Sequence, residues 1–225
     1  EYIDTVKAYA EEIRKVDPEA KIAACGPTAP WGRYFNVSED SDQWWAWWHR
    51  QIMPQLADTV DAITFHPYYD GYSTEFMFYF MDTIKADCDK IVEEQGIKDK
   101  DGNPKEIKIL STEASRFWDP NDWFWGSVCH EAALSSAHFL NTAMTRDWFV
   151  GSSYHHLTGY NCWAYWGLKD GEWYESPTAK LYRLYNDNLG DRIVKSSYEM
   201  LNDDYNDLDQ YGTVPFSLVA SAKGN

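Results

Sequence analysis

The strongest constraint on this chain is a repeated alternation of helix-period segments with short apolar runs. Residues 2–16 carry Ile3, Val6, Tyr9, Ala10, Ile13 and Val16 at helical spacing, with Lys7, Glu11, Glu12 and Arg14 outside. Asp17-Pro18 ends that helix, and Lys21 to Gly26 then reads as a buried strand. A helix follows from Gln43 toward Ala57, with Asp42 as its cap and Pro54 predicting a kink or early break. Asp61 to His66 reads as the second strand, and residues from about Phe76 to Gln95 as the next helix. The third strand is Lys108 to Thr112, and residues from about Ser127 to Thr145 form a helix with closely packing alanines. Tyr160 to Trp166 is read as a fourth, aromatic strand. Pro177 to Asn188 is a last helix, with Pro near its start and Gly190 just past its end. Such alternation implies a parallel sheet with helices outside it.

After Gly190 the pattern changes. Asp191 to Ser196 and Phe216 to Ala222 look like strands with no helix between them, and Asn202 to Asp209 reads as a solvated acidic loop. The expected division is therefore 1–190 as part of an α/β barrel and 191–225 as the beginning of a β-rich accessory domain.

Charge and composition narrow the partners. The net charge is −16, from 36 acidic and 20 basic residues, and no Lys/Arg cluster offers a track for phosphates. Nucleic acid is not an expected partner. An acidic balance suits solubility outside the cell, so a secreted or periplasmic location is the expectation. No run of about 18 apolar residues exists to span a membrane. No signal peptide is visible, and the chain opens abruptly inside a helix, as a fragment does. Cys25, Cys88, Cys129 and Cys162 are far apart and lack zinc spacing; Cys25 and Cys162 fall in predicted strands, where free Cys acts as a small apolar residue. Neither a cofactor nor a metal is expected. The chain holds 12 Trp and 16 Tyr, more than core packing requires. Flat aromatic faces stack on sugar rings, and a carbohydrate cleft would use them.

The chemistry is expected where strands end. Ile109-Leu110-Ser111-Thr112-Glu113 is an apolar run that stops at a carboxylate. In a parallel barrel the C-terminal end of each strand faces the active site. Glu113 there is held rigidly yet reaches a cleft; the alternative is a Glu that caps or pairs in the loop. The second strand ends in His66-Pro67-Tyr68-Tyr69, and the aromatic strand supplies Trp163 and Trp166. Hydrogen-bond donors from His66 and Tyr68 would hold Glu113 ionised and aimed, with an indole as the sugar platform.

The order of these segments resembles the second half of a (β/α)8 retaining glycoside hydrolase of the two-glutamate clan. Val16-Asp17-Pro18-Glu19-Ala20-Lys21-Ile22 with Cys25-Gly26-Pro27 resembles the passage into strand 5 of α-L-arabinofuranosidases and β-xylosidases. Phe65-His66-Pro67-Tyr68 is similar to their strand 6 end, and Ile109 to Glu113 to their nucleophile-bearing strand 7. Trp163-Ala164-Tyr165-Trp166 resembles strand 8, and Ser176-Pro177-Thr178-Ala179 the run into helix 8. The trailing strands resemble the start of the β-sandwich those families append.

That resemblance implies a partial TIM barrel, strands 5–8 with their helices, and a carbohydrate substrate. It implies Glu113 as nucleophile, with His66, Tyr68, Trp163, Trp166 and Trp31 binding sugar. In the clan the acid/base glutamate follows Asn at the end of strand 4. Glu1 lacks that Asn, so the acid/base and the N-terminal half of the barrel are expected to lie outside this chain. General acid help is typically worth about 10²–10⁴-fold, so the chain alone should have little activity. Two other readings stay open: a non-catalytic carbohydrate-binding barrel, and a metal-dependent barrel hydrolase using His66, Glu113, His155 and His156. Adjacent His155 and His156 would point opposite ways in a strand, which argues against the second.

Overall fold

The computed structural model describes residues 1–27, 47–69, 74–116, 129–158, 165–197 and 217–224. They form two compact units, built from interleaved segments of the chain. The first holds Glu1–Pro67, Phe80–Thr112 and Trp148–Ser152; the second holds Tyr68–Tyr79, Glu113–Asp147 and Ser153–Asn225.

In the first unit, helix α1 spans Tyr2–Val16 and ends at Asp17, whose backbone turns extended before Pro18. Strand β1 (Ala23–Ala24) pairs in parallel with β2 (Ala62–Thr64), and β2 pairs in parallel with the start of β4 (Lys108–Arg116). Helix α2 (Trp48–Leu56) contains Pro54 and stops two residues after it. A proline has no N–H to give the preceding turn, so the helix runs out there. Ile63, Phe65, Ile107, Ile109, Ile52, Met53 and Leu56 are buried.

One close approach fixes how β1 meets β2. The Gly26 N–H donates to Thr64 Oγ1 at 3.0 Å, and a Cβ built on Gly26 would lie 1.9 Å from the Thr64 carbonyl oxygen. Only a residue without a side chain fits against that backbone.

The second unit begins at β3 (Tyr68–Tyr69), which lies in parallel beside the far end of β4 through Tyr68 and Ser115. Helix α3 (Thr74–Gln95) starts in this unit and ends in the first. Its first turns pack on helix α4 (His130–Ala143): the Phe78 and Phe139 rings stack at 5.3 Å, and Tyr69 stacks on Phe139 at 4.5 Å. Glu75 and His138 join the same two helices through a 2.5 Å contact.

The fourth parallel strand is not where the sequence pattern puts it. It is β5, Phe149–Tyr154, which pairs with β4. The Ile109 N–H donates to Trp148 O within the first unit, and the His155 N–H to Ala114 O within the second. These bonds advance in the same direction along both strands, as only a parallel pair allows. Of the segment expected to form that strand, only Tyr165 and Trp166 are described; Trp166 opens an antiparallel hairpin, β6 (Trp166–Lys169) with β7 (Glu172–Glu175). Residues 160–164, most of that expected strand, lie outside the described residues. Phe149-Val150-Gly151-Ser152-Ser153-Tyr154 is too small and polar to signal a buried strand, and its Ser152 hydroxyl bonds Ser111 on β4 at 3.2 Å.

Helix α5 spans Pro177–Asn188, capped by Ser176, whose hydroxyl accepts from the Ala179 N–H. Beyond it β8 (Arg192–Val194) pairs antiparallel with β9 (Ala220–Ala222). The acidic 202–209 loop and the Asp42 cap lie outside the described residues. Cys25 is exposed rather than a buried strand residue, and burial pushes the Cys88 thiol in α3 up to about 12.

His49 is a buried titratable group in the first unit. Its Nε2 lies 2.8 Å from Asp87 Oδ2, while Nδ1 is buried with no hydrogen-bond partner. Burial lowers its pKa more than Asp87 raises it. Protonation would add an N–H with no acceptor, so we read His49 as neutral, with the Arg50 guanidinium as the cation paired to Asp87. Burial alone would raise the Asp87 carboxyl, but the bonds from Arg50 and His49 outweigh it and hold the pKa low. Both groups have depressed pKa values in the fold. Their contributions are therefore present above the unfolded values and lost as pH falls.

Two outcomes follow for stability. Gly26→Ala should destabilise the protein by about 1–3 kcal/mol or more, read from its chemical denaturation midpoint. Acidification should lower that midpoint, beginning near pH 6.5 as unfolded His49 protonates and continuing below about 4 as Asp87 does. His49→Gln should flatten the first part of that slope and leave the second.

Candidate active site

Glu113 sits in β4, which the chain forms because Ile107, Ile109 and Ser111 are buried on alternate positions leading up to it. Glu113 follows on the same alternation, but its side chain is 31% exposed. The strand thus delivers a carboxylate from a buried row into accessible space.

Within the second unit, one imidazole stands beside it, and two further rings stand against that imidazole. His155, immediately after β5, places Nδ1 3.7 Å from Glu113 Oε1. Tyr68, on β3, sets its ring edge-on to the His155 imidazole, with centroids 6.3 Å apart at 74°. His156 packs against His155 at 4.9 Å. The backbone then turns back: Tyr165 N–H donates to His156 O and Trp166 N–H to Leu157 O. That places the start of the β6–β7 hairpin beside the segment that carries both histidines. Tyr174 lies flat against Gly167, where any side chain would meet the tyrosine ring, and Trp173 is exposed.

Strand pairing supports the site from below. Tyr69 is fully buried and its hydroxyl donates to Ser136 on α4 at 3.0 Å. Burial drives its phenol well above the ordinary value, so it stays a neutral donor. Arg116, three positions beyond Glu113, is engaged by Glu131 at 2.9 Å.

His66 belongs to the first unit, where its Nε2 lies 2.9 Å from Thr112 Oγ1. Of the residues singled out from the sequence, Tyr68, Glu113 and Trp166 fall in the second unit and His66 in the first. Trp31 and Trp163 lie outside the described residues. His155 is the neighbour of Glu113 that the sequence reading grouped with it only in the metal-dependent alternative and not in the glycosidase site. The available signal was a histidine pair following a short β-branched and small-residue run. Among the described residues, no group of three or more His, Cys, Asp or Glu is arranged to hold a metal ion.

No family model and no curated protein sequence matches the chain. Solved structures do. A family 51 α-L-arabinofuranosidase from Bifidobacterium longum superimposes with a TM-score of 0.61 and 16% identity over 82% of this chain and 39% of its own. The GH51 α-L-arabinofuranosidase of Thermotoga petrophila gives 0.61 and 17% over 86% and 37%. A GH86 protein in complex with neoagarooctaose gives 0.59 and 16% over 86% and 33%. This chain has the fold of part of the GH51 arabinofuranosidase barrel. It spans less than two fifths of the length of the arabinofuranosidases compared here.

The packing under the site makes a measurable claim. Tyr69→Phe removes the buried bond to Ser136 and should cost about 1 kcal/mol, or up to about 3 if the serine is left unsatisfied. Denaturation of the protein and its Tyr69→Phe variant side by side reads the difference.

Proposed function

We propose that this chain is part of a retaining glycoside hydrolase, with Glu113 as the nucleophile and a carbohydrate as substrate. What supports the reading is the partly exposed Glu113 carboxylate on β4, with the His155 imidazole beside it and the Tyr68 ring against that imidazole, in a fold shared with arabinofuranosidase structures. A Glu on a paired strand keeps its aim, and that rigidity is what nucleophilic attack requires.

In the proposed reaction a Glu113 oxygen bonds to the anomeric carbon as the bond from that carbon to the leaving oxygen breaks. The leaving oxygen takes a proton from a second carboxylic acid. Water then attacks the anomeric carbon, gives its proton to that same group, and frees Glu113. Retaining chemistry sets the two carboxyl groups about 5–5.5 Å apart. The second carboxyl group is assigned to the N-terminal half of the barrel, beyond Glu1, so this chain alone should be nearly inactive.

Within that reading Tyr68 and His66 orient the carboxylate and bind a sugar hydroxyl. Trp163 and Trp166 support the sugar ring, and Trp31 extends the cleft. Residues 1–190 supply strands 5–8 of the barrel, and 191–225 begin a β-rich accessory domain; the antiparallel β8–β9 pair supports that division. Arabinofuranosides and xylosides are the substrate classes we favour, with the polymer in plant-type polysaccharide.

Glu113→Ala in the full-length protein should abolish hydrolysis of 4-nitrophenyl α-L-arabinofuranoside and 4-nitrophenyl β-D-xyloside, measured by nitrophenolate release. Hydrolysis within a few-fold of wild type would remove Glu113 from the mechanism.

A further inference from the structure

We infer that His155 is a positioning residue for Glu113, a role that rests on the reading of Glu113 as nucleophile. The imidazole directly follows β5 and its backbone is tied to β4. The His155 N–H donates to Ala114 O at 2.9 Å, and Ala114 is the residue directly after Glu113. One rung of a parallel ladder therefore fixes the two backbones relative to each other, next to the carboxylate itself. Nδ1 stands 3.7 Å from Glu113 Oε1, close enough to form a hydrogen bond after a shift of under about 1 Å.

The ring's freedom is limited on both sides. Tyr68 meets it edge-on at 6.3 Å, and His156 at 4.9 Å. Tyr68 is itself carried on β3, paired to β4 at Ser115. Three successive paired segments therefore hold Tyr68, Glu113 and His155 in one row of the second unit. A carboxylate has two equivalent oxygens and a broad torsion about its terminal bond. A donor aimed at one oxygen selects which of them turns toward the sugar. In this arrangement His155 engages Oε1 and sets the plane in which the carboxylate meets the sugar. The imidazole forms no bond to the substrate in this role and takes no proton from it.

The test uses the full-length protein and 4-nitrophenyl α-L-arabinofuranoside, whose good leaving group needs little protonation, and reads the single-turnover rate of nitrophenolate release, the step in which Glu113 attacks. His155→Phe should keep the ring volume and lower that rate about ten- to hundred-fold, as a misaimed reacting group does, with the half-saturating substrate concentration within about threefold. His155→Asn, whose amide nitrogen can stand near the place of Nδ1, should recover most of the loss. A single-turnover rate for His155→Phe equal to wild type overturns the proposal. Equal losses in both variants, accompanied by a raised half-saturating concentration, also overturn it and reduce His155 to packing. Glu113→Gly with added azide separates this from the underlying assignment. Formation of the inverted arabinosyl azide supports Glu113 as nucleophile whatever His155 does, and its absence overturns that assignment and this inference together.

Discussion

The strand β4 is the element on which the rest depends. It is paired along both edges near its start, by β2 on one and β5 on the other, and with β3 at its far end. A parallel strand satisfied on both edges cannot slide without breaking two ladders, and a one-residue slip would turn every side chain to the other face. The carboxylate at position 113 inherits that fixity. So do Tyr68 and His155, because each rides on or directly follows a segment hydrogen-bonded to β4.

Small residues make this close pairing possible. Gly26 lets β1 approach the Thr64 carbonyl, and Ser111 and Ser152 meet across β4 and β5. Helices then cover the strands with larger side chains, among them Ile52, Met53 and Leu56 from α2 and Phe139 from α4. Polar groups inside this packing are used sparingly. Tyr69 finds Ser136, and His49 finds Asp87 while remaining neutral. Each places one hydrogen bond in a dry setting, where an unpaired partner costs more than the bond contributes.

Much of the fold was legible in the chain because helices announce themselves locally. The apolar spacing and flanking prolines placed α1 and α5 at residues 2–16 and 177–188, where the structure has them. The strand that carries the carboxylate was also readable, but it runs past Glu113 to Arg116, and Tyr68 opens the separate strand β3 rather than ending β2. The fourth strand was not, because Phe149–Tyr154 is only half-buried or exposed, and its small polar residues carry no apolar run to mark it. Of the aromatic segment read as that strand, Trp166 opens the β6–β7 hairpin, and residues 160–164 lie outside the described residues.

The sequence by itself determined the alternation, the limits of α1 and α5 and the strand that carries Glu113, since each is written in spacing and in residues next to one another. Tertiary structure alone decided which strand lies beside β4 and which imidazole stands next to Glu113. The reason is physical: a parallel pairing joins segments separated by a whole helix, and no local pattern encodes which two small-residue edges will fit. His155 reaches Glu113 through that pairing, and nothing in its own neighbourhood of the chain records it.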